Sequence, residues 1–518
     1  MTHVTARFSG GRDRSGPLTT AQANMVGCVL RDPPEHMNYR VVRQLPQDVT
    51  AARVAEAVGL LISRHESLRT TFHDGVQRVS AEGELAIEVT EDEAVGARLR
   101  ERRFDLAGEP PLRAAVITAG GVPRQIVFVT THSTVDASGL AVLLADWDVI
   151  IQGKPLEAVT APQPLDVAET ERTPASVRRA AAALRYWEAQ LRRIPRSTLT
   201  VRVDDSQTDW KLPRLRVRSV AAARALGRIG ARTGVSGSAA VLAAFGALAG
   251  LRAGQPICPV ISISANRYRP ELRDHVGPLA QDALIPIDIA GPSFDALLQS
   301  TRAASLAAYQ NSRFDSAALV EIMEEVQKSR GVFFARDLVF NDMSVPGQGG
   351  RVSRDPSGAP DIRSVWLPEE TLPTRVSLWV NRLQGEADVT LWADPRCLPR
   401  DDAQALGEGI MRLLIEAGDR DVDLSELTAL TGIAPLPRGD GWLVADSCWV
   451  DLAEVERLVA DAVDGSSRVV AVPDEELGHR LVCHLTAPIT PEEARSACLA
   501  KLPGRMAAMA PHDYVIRR

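Results

Sequence analysis

The sequence predicts an α/β protein, and three observations carry that expectation. Helix-like segments with an apolar period alternate with β-rich segments between residues 51 and 416. A paired-strand signature at 113–131 stands between two helix signatures, 51–64 and 138–150. Past IAPLPRGDG (433–441) the composition changes and a separate helix–strand–strand–helix pattern follows. The chain has 518 residues. At about 150 residues per domain this gives roughly three to four domain-sized units, ample for a buried core.

Taken in order, AARVAEAVGLLISR (51–64) sets Val54, Val58, Leu61 and Ile62 on one helical face. RHESLRTTF follows, then a turn at Asp74-Gly75. RAAVITAGGVPRQIVFVTT (113–131) reads as two strands joined by Gly-Gly. Ser138 to Ile150 reads as a helix with Ser138 as its cap. Residues 155–174 have no period and read as a linker. Val177, Ala180, Leu184, Trp187 and Leu191 form one stripe of a long helix. An Ala/Gly helix at 236–251 leads into a strand at 256–264. Two helices over 291–325, a strand at 333–340, a hairpin of 376–383 with 388–394, and a helix at about 401–416 complete this part. In the tail, Leu452, Val455, Leu458, Val459 and Val463 mark a helix, and RVVAV (468–472) and RLVCHL (480–485) mark strands. Thr490-Pro491-Glu492-Glu493 opens the last helix, with Thr capping, Pro in the first turn and Glu closing a capping box.

Composition excludes several classes. The net charge of −7, from 59 basic and 66 acidic residues, argues against a general nucleic-acid binder. Cysteines at 28, 258, 397, 448, 483 and 498 form no CxxC pair, and their spacing suits neither a disulfide framework nor a zinc site. Reduced thiols in a cytoplasmic protein are expected. Met1 to Pro17 lacks the apolar core of a signal peptide. The longest charge-free run, Thr233 to Leu251, reads as a buried helix rather than a membrane span. No Walker loop, HExxH or clean dinucleotide fingerprint occurs. GVSGS (234–238) misses the nucleophile elbow at its fifth residue, and no Gly-Gly-x-Ser carrier site is found.

One segment carries chemistry. In VFVTTHSTVDASGL (127–140) a β-rich run ends at His132, and Asp136 follows before a helix. Histidine titrates near neutral pH and suits proton transfer. By themselves such a His and Asp read first as a structural hydrogen-bonding pair.

The surroundings add to this. Residues 131–137 resemble the HHxxxDG motif of condensation domains in nonribosomal peptide synthetases. Pro17 to Gln22 resembles that family's PLSxAQ, Arg64 to Phe72 its RHExLRTxF, and Phe104 to Ala114 its FDLxxGPLLRA. Tyr186-Trp187 with Gln190-Leu191 and Pro195 resembles YWxxQLxxxP. Asn266-Arg267, Pro270-Glu271-Leu272 and Val276 to Leu279 resemble GRxxPELxxxxGxF. The resemblance covers about residues 17–420.

It implies two chloramphenicol acetyltransferase-like lobes, 17–160 and 175–430, forming a V with a central tunnel. Acyl or peptidyl carrier proteins acting in trans would deliver substrate on a phosphopantetheine arm, and no cofactor, metal, nucleic acid or membrane is expected. A small-molecule or carrier-bound acceptor would attack the donor thioester, giving an amide or ester. His132 takes the place of the catalytic motif histidine, to accept the nucleophile's proton or to hold the attacking group in line. Asp136 takes the structural aspartate's place, with Arg267 as its arginine partner. Arg64, His65 and Arg69 read as scaffold. Thr131 stands for the first motif histidine, Ala137 for the motif glycine, and Asn266 for a usual glycine. LAQDALIPI (279–287) replaces the usual FVNTLPLR. These departures imply a specialised member, or a non-catalytic platform that recruits a carrier or tailoring enzyme. The epimerase motif EGHGRE and the cyclising DxxxxD are absent.

Residues 438–518 resemble the small C-terminal subdomain of adenylation domains. WVDLAEVE (449–456) stands for RIELGEIE, and KLPGRM (501–506) for LPxYMVP. The catalytic NGK lysine is not found, so the tail is expected to pack or dock rather than activate with ATP.

Overall fold

The computed structural model describes residues 2–203, 210–344 and 361–517. They group into two compact units: residues 1–182 with 264–281 and 313–317, and residues 183–263 with 282–312 and 318–518. The segment holding Arg267, expected in the second lobe, thus groups with the first unit, and the tail groups with the second.

In the first unit a five-stranded sheet runs in the order Thr2–Ser9, Glu82–Thr90, Leu112–Ala119, Val122–Thr131, Asn38–Gln44. Glu82–Thr90 and Leu112–Ala119 pair in parallel, and the other neighbours are antiparallel. The expected Gly-Gly turn joins the central hairpin. Gly120 and Gly121 have φ of 57° and 79°, a left-handed region that glycine enters without a side-chain clash. The helix Ala51–Arg64 buries Val54, Val58, Leu61 and Ile62, as its period required. Trp147 of the helix Ala137–Ile150 packs edge-on to Phe128 of the sheet, with ring centroids 4.8 Å apart.

Two local expectations for this unit fail. The linker holds a helix, Pro164–Glu171, missed because it lacks a long apolar period. Pro164 opens it, and the Gln163 amide donates to Asp166 Oδ2 at 2.9 Å. Asp136, not Ser138, caps the helix Ala137–Ile150.

The second unit is built on a seven-stranded mixed sheet. Its hairpin, Val376–Arg382 with Ala387–Ala393, is antiparallel as expected. The helix Gly237–Ala253 is buried along most of its length. A Cβ at Gly246 would come within 2.4 Å of Ile287, so glycine is what lets helix and sheet approach there. No single described helix is long and apolar enough to cross a membrane. The pair Val220–Thr233 and Gly237–Ala253 reaches that length only jointly and bends by 101°. The helix Pro174–Leu191 buries Ala183, Trp187 and Leu191, but Val177 of the expected stripe is exposed. The strand expected at 333–340 lies instead at Leu338–Asp342. The helices Phe294–Gln310, Ser316–Arg330 and Arg400–Asp419 match expectation, and so does the strand Ile257–Ser264.

The tail contains the four expected elements, Leu452–Ala462, Ser466–Asp474, Gly478–Thr486 and Pro491–Lys501, the last with its capping box. It adds a hairpin, Trp442–Ala445 with Cys448–Asp451, and a final strand, Asp513–Arg517, parallel to Gly478–Thr486. Buried Arg330 holds it to the rest of the second unit. Its guanidinium donates to Asp446 at 2.6 Å and to the carbonyls of Leu191 and Ile194 at 2.6 and 2.8 Å. The Trp449 indole donates to the Gly254 carbonyl at 3.0 Å.

Candidate functional site

The strand Val122–Thr131 carries the candidate site at its end. Its edge neighbour Asn38–Gln44 pairs in the register Asn38↔Thr131 and Tyr39↔Thr130. The His132 amide donates to the Met37 carbonyl at 2.9 Å, extending that ladder by one step. Successive strand residues face opposite sides. Asn38 donates its side-chain amide to the carbonyls of Arg100 and Arg102, whereas Tyr39 meets His132.

The His132 Nε2 and the Tyr39 hydroxyl are 2.9 Å apart, and the two rings lie 4.9 Å apart, tilted by 43°. His132 Nδ1 is buried, and the ring's further polar interaction is with the residue's own backbone. Burial lowers the histidine's pKa below its ordinary value, against the opposing pull of the Asp136 charge. Burial also raises the Tyr39 pKa. Both groups are therefore neutral near pH 7.

Asp136 is held differently. Its Oδ1 accepts from the Gly139 amide at 2.9 Å, which caps the helix. Its Oδ2 accepts from Arg267 Nη1 at 2.6 Å and from the amides of Leu279 and Ala280 at 2.9 and 3.1 Å. Both side chains of the pair are buried. Burial would push the carboxyl's pKa up, but Arg267 and the amides more than offset this and hold it below the usual range. Arg267 also donates through Nη2 to the carbonyls of His275 and Gly277, at 3.1 and 3.0 Å. The expected partnership of Asp136 and Arg267 is thus present, as a locked junction between the 131–139 segment and the 264–281 segment.

The departures have local accounts. Thr131 is fully buried, and its hydroxyl lies 3.3 Å from that of Ser133. Ala137 is the first residue of its helix, a position any residue can adopt. Asn266 has φ of 54°. Asparagine is among the few side chains that tolerate this left-handed region, so it serves where glycine is usual. Its amide also donates to the Leu279 carbonyl at 3.0 Å. The Arg64–Phe72 motif is held by internal bonds. Arg64 and His65 both reach Asp146 Oδ2, at 2.7 and 2.8 Å, and Arg69 donates to the Ser80 carbonyl at 2.5 Å.

Two residues at the site escaped the sequence reading. Tyr39 lies 93 positions before His132 and belongs to a strand that was not anticipated. The alternation in NYRVVRQ was its only local signal. His275 is buried, and its Nδ1 donates to the Pro162 carbonyl at 2.6 Å. Burial pushes its pKa down to about 4. Among the described residues no group of three or more His, Cys, Asp or Glu side chains could hold a metal ion.

A family model for the condensation domain matches residues 14–355. The isonitrile lipopeptide synthase of Mycobacterium tuberculosis is 28% identical over 351 residues. That match covers 60% of this chain and 14% of the synthase, so the chain spans a small part of such relatives. Among solved structures, one describing condensation domain-mediated chain release from the enacyloxin polyketide synthase aligns with a TM-score of 0.58 at 22% identity. It covers 82% of this chain and 84% of that one. The complex of the X-domain and OxyB from teicoplanin biosynthesis aligns with a TM-score of 0.63 at 20% identity, covering 81% and 97%. These structures share the mixed α/β, chloramphenicol acetyltransferase-like fold. With the family model spanning well over half its length, and with its motif aspartate and arginine paired, the chain belongs to the condensation-domain family of nonribosomal peptide synthesis.

Proposed function

We propose that the chain joins a carrier-bound acyl or aminoacyl thioester to an amine or hydroxyl acceptor in natural-product biosynthesis. His132 carries this reading. It is a neutral imidazole of lowered basicity at a strand end, beside an aspartate already committed to structure. His132 would accept the proton of the nucleophile or hold it in line as it attacks the thioester carbonyl. A carbon–nitrogen or carbon–oxygen bond forms, the carbon–sulfur bond breaks, and the proton ends on the released thiol. The substrate would arrive on the phosphopantetheine arm of a carrier protein supplied in trans. Residues 438–518 are read as an adenylation-subdomain-like packing module. Their helix–strand–strand–helix order and the Arg330 anchor support that reading.

The test supplies an acyl-loaded carrier protein with candidate amines and alcohols, to the full chain and to its His132→Ala variant. Product from the full chain and its loss in the variant are expected. Equal product from both would overturn the role of His132.

A second reading, a non-catalytic platform that recruits a carrier or a tailoring enzyme, is favoured by one observation. The Tyr39 hydroxyl already occupies His132 Nε2. The X-domain neighbour is named in a complex with OxyB, a precedent for recruitment on this fold. Tight carrier binding without turnover across the acceptor panel would decide for the platform.

A further inference from the structure

Resting on the condensation reading, we propose that Tyr39 is a catalytic residue: its hydroxyl contacts the acceptor nucleophile and passes the proton to His132 Nε2. The argument is one of access. A general base must reach the proton it takes, directly or through one intervening group. Of the two ring nitrogens of His132, Nδ1 is sealed in the interior, and Nε2 faces the Tyr39 hydroxyl at 2.9 Å. No third nitrogen is available to an incoming amine or alcohol.

Tyr39 is also poorly placed to swing aside. Its backbone lies in the ladder opposite Thr130. Asn38 before it is tied to two carbonyls, and the Met37 carbonyl is bonded by His132 itself. Its ring rests against the apolar core of the first unit and against the imidazole. The hydroxyl that occupies Nε2 is therefore the group an acceptor would meet.

The step balances. The nucleophile attacks the thioester carbonyl as its N–H or O–H proton moves to the Tyr39 oxygen. The Tyr39 proton moves in the same event to Nε2, and the imidazolium forms. When the tetrahedral intermediate collapses, the carbon–sulfur bond breaks and the proton returns by the same path to the leaving thiolate. Tyr39 is never left as a phenolate, which its burial would oppose. Burial disfavours the imidazolium, and the nearby Asp136 charge offsets part of that cost.

The experiment measures kcat and KM for carrier-bound donor and acceptor amine in the full chain. It compares the native protein with Tyr39→Phe, His132→Ala and the double variant. The relay predicts a kcat lower by about 10²-fold or more in Tyr39→Phe, with KM within about twofold. It also predicts that the double variant is no slower than the slower single one, because the two groups act as one unit. Wild-type turnover in Tyr39→Phe, a change confined to KM, or losses that multiply would overturn the relay and leave the condensation reading standing. No product from the native protein across the acceptor panel would overturn that reading and the relay with it. As a variant that preserves packing, 3-fluorotyrosine in place of Tyr39 acidifies the phenol. A displaced pH–rate profile is expected, and a profile identical to the native one would overturn the relay.

Discussion

His132 and Asp136 belong to one short segment, yet the fold treats its two ends in opposite ways. Asp136 has both carboxylate oxygens engaged: Oδ1 by the helix cap, Oδ2 by an arginine and two backbone amides. His132 has the Tyr39 hydroxyl at its Nε2, while its Nδ1 is buried and, among the described residues, faces no other side chain's polar group. A fully satisfied buried charge stabilises a junction and is costly to disturb. The imidazole of His132 carries no such committed charge, and its Nε2 faces a hydroxyl that can exchange a proton with it. On the proposed function, the contrast separates the residue that holds the segment from the one that would do chemistry on it.

The largest expected effect comes from breaking the locked end. Asp136→Ala leaves Arg267 buried and uncompensated, at a cost of about 3–5 kcal/mol. Denaturant unfolding should show the midpoint falling accordingly. A midpoint equal to the native one would abolish the contrast. His132→Ala should behave in reverse. Turnover with an acyl-loaded carrier is expected to drop about 10²–10⁴-fold, while the unfolding midpoint moves by about 1 kcal/mol or less. Comparable losses of stability in the two variants would show that both ends are structural.

The third effect concerns pH. Folding lowers the His275 pKa to about 4. Between that value and its ordinary one of 6.5 the unfolded chain binds more protons than the folded one. Stability from this group is thus complete above about pH 6.5 and is lost as pH falls toward 4, by about 3 kcal/mol in all. Asp136 stays ionised through this window, since its folded pKa lies below 3.8. The slope of stability against pH between 6.5 and 4 should therefore flatten in His275→Gln, while a slope unchanged by that variant would assign the loss to other groups. The smallest effect is at Ala137. Ala137→Gly, which restores the family's residue, places glycine in the first turn of a helix and should cost up to about 1 kcal/mol. Thermal unfolding measures it. A larger loss would mean that the Ala137 side chain helps to hold the locked end.

The α/β class, the His132–Asp136 segment and the Arg267 partner were legible because each rests on local pattern or on family-specific spacing. Apolar period alone placed the helix Ala51–Arg64, and Gly120-Gly121 placed the hairpin turn. The cap at Asp136 was misplaced for a physical reason. Ser138 and Asp136 are equally good capping types, and only the Arg267 charge and the amides of Leu279 and Ala280 fix the carboxylate where it also accepts from Gly139. Tyr39 was invisible for a similar reason, since sheet register brings it to His132 and register is a long-range property.

What the sequence by itself determined is the class of fold, the family and the identity of the proton-transfer candidate, since residue types at fixed spacing carry these. Only the tertiary structure decided how the histidine is engaged. Its Nδ1 is sealed by burial, and its Nε2 meets a tyrosine from the neighbouring strand. Burial and cross-strand contact arise from packing distant segments together, and no local stretch of sequence encodes them.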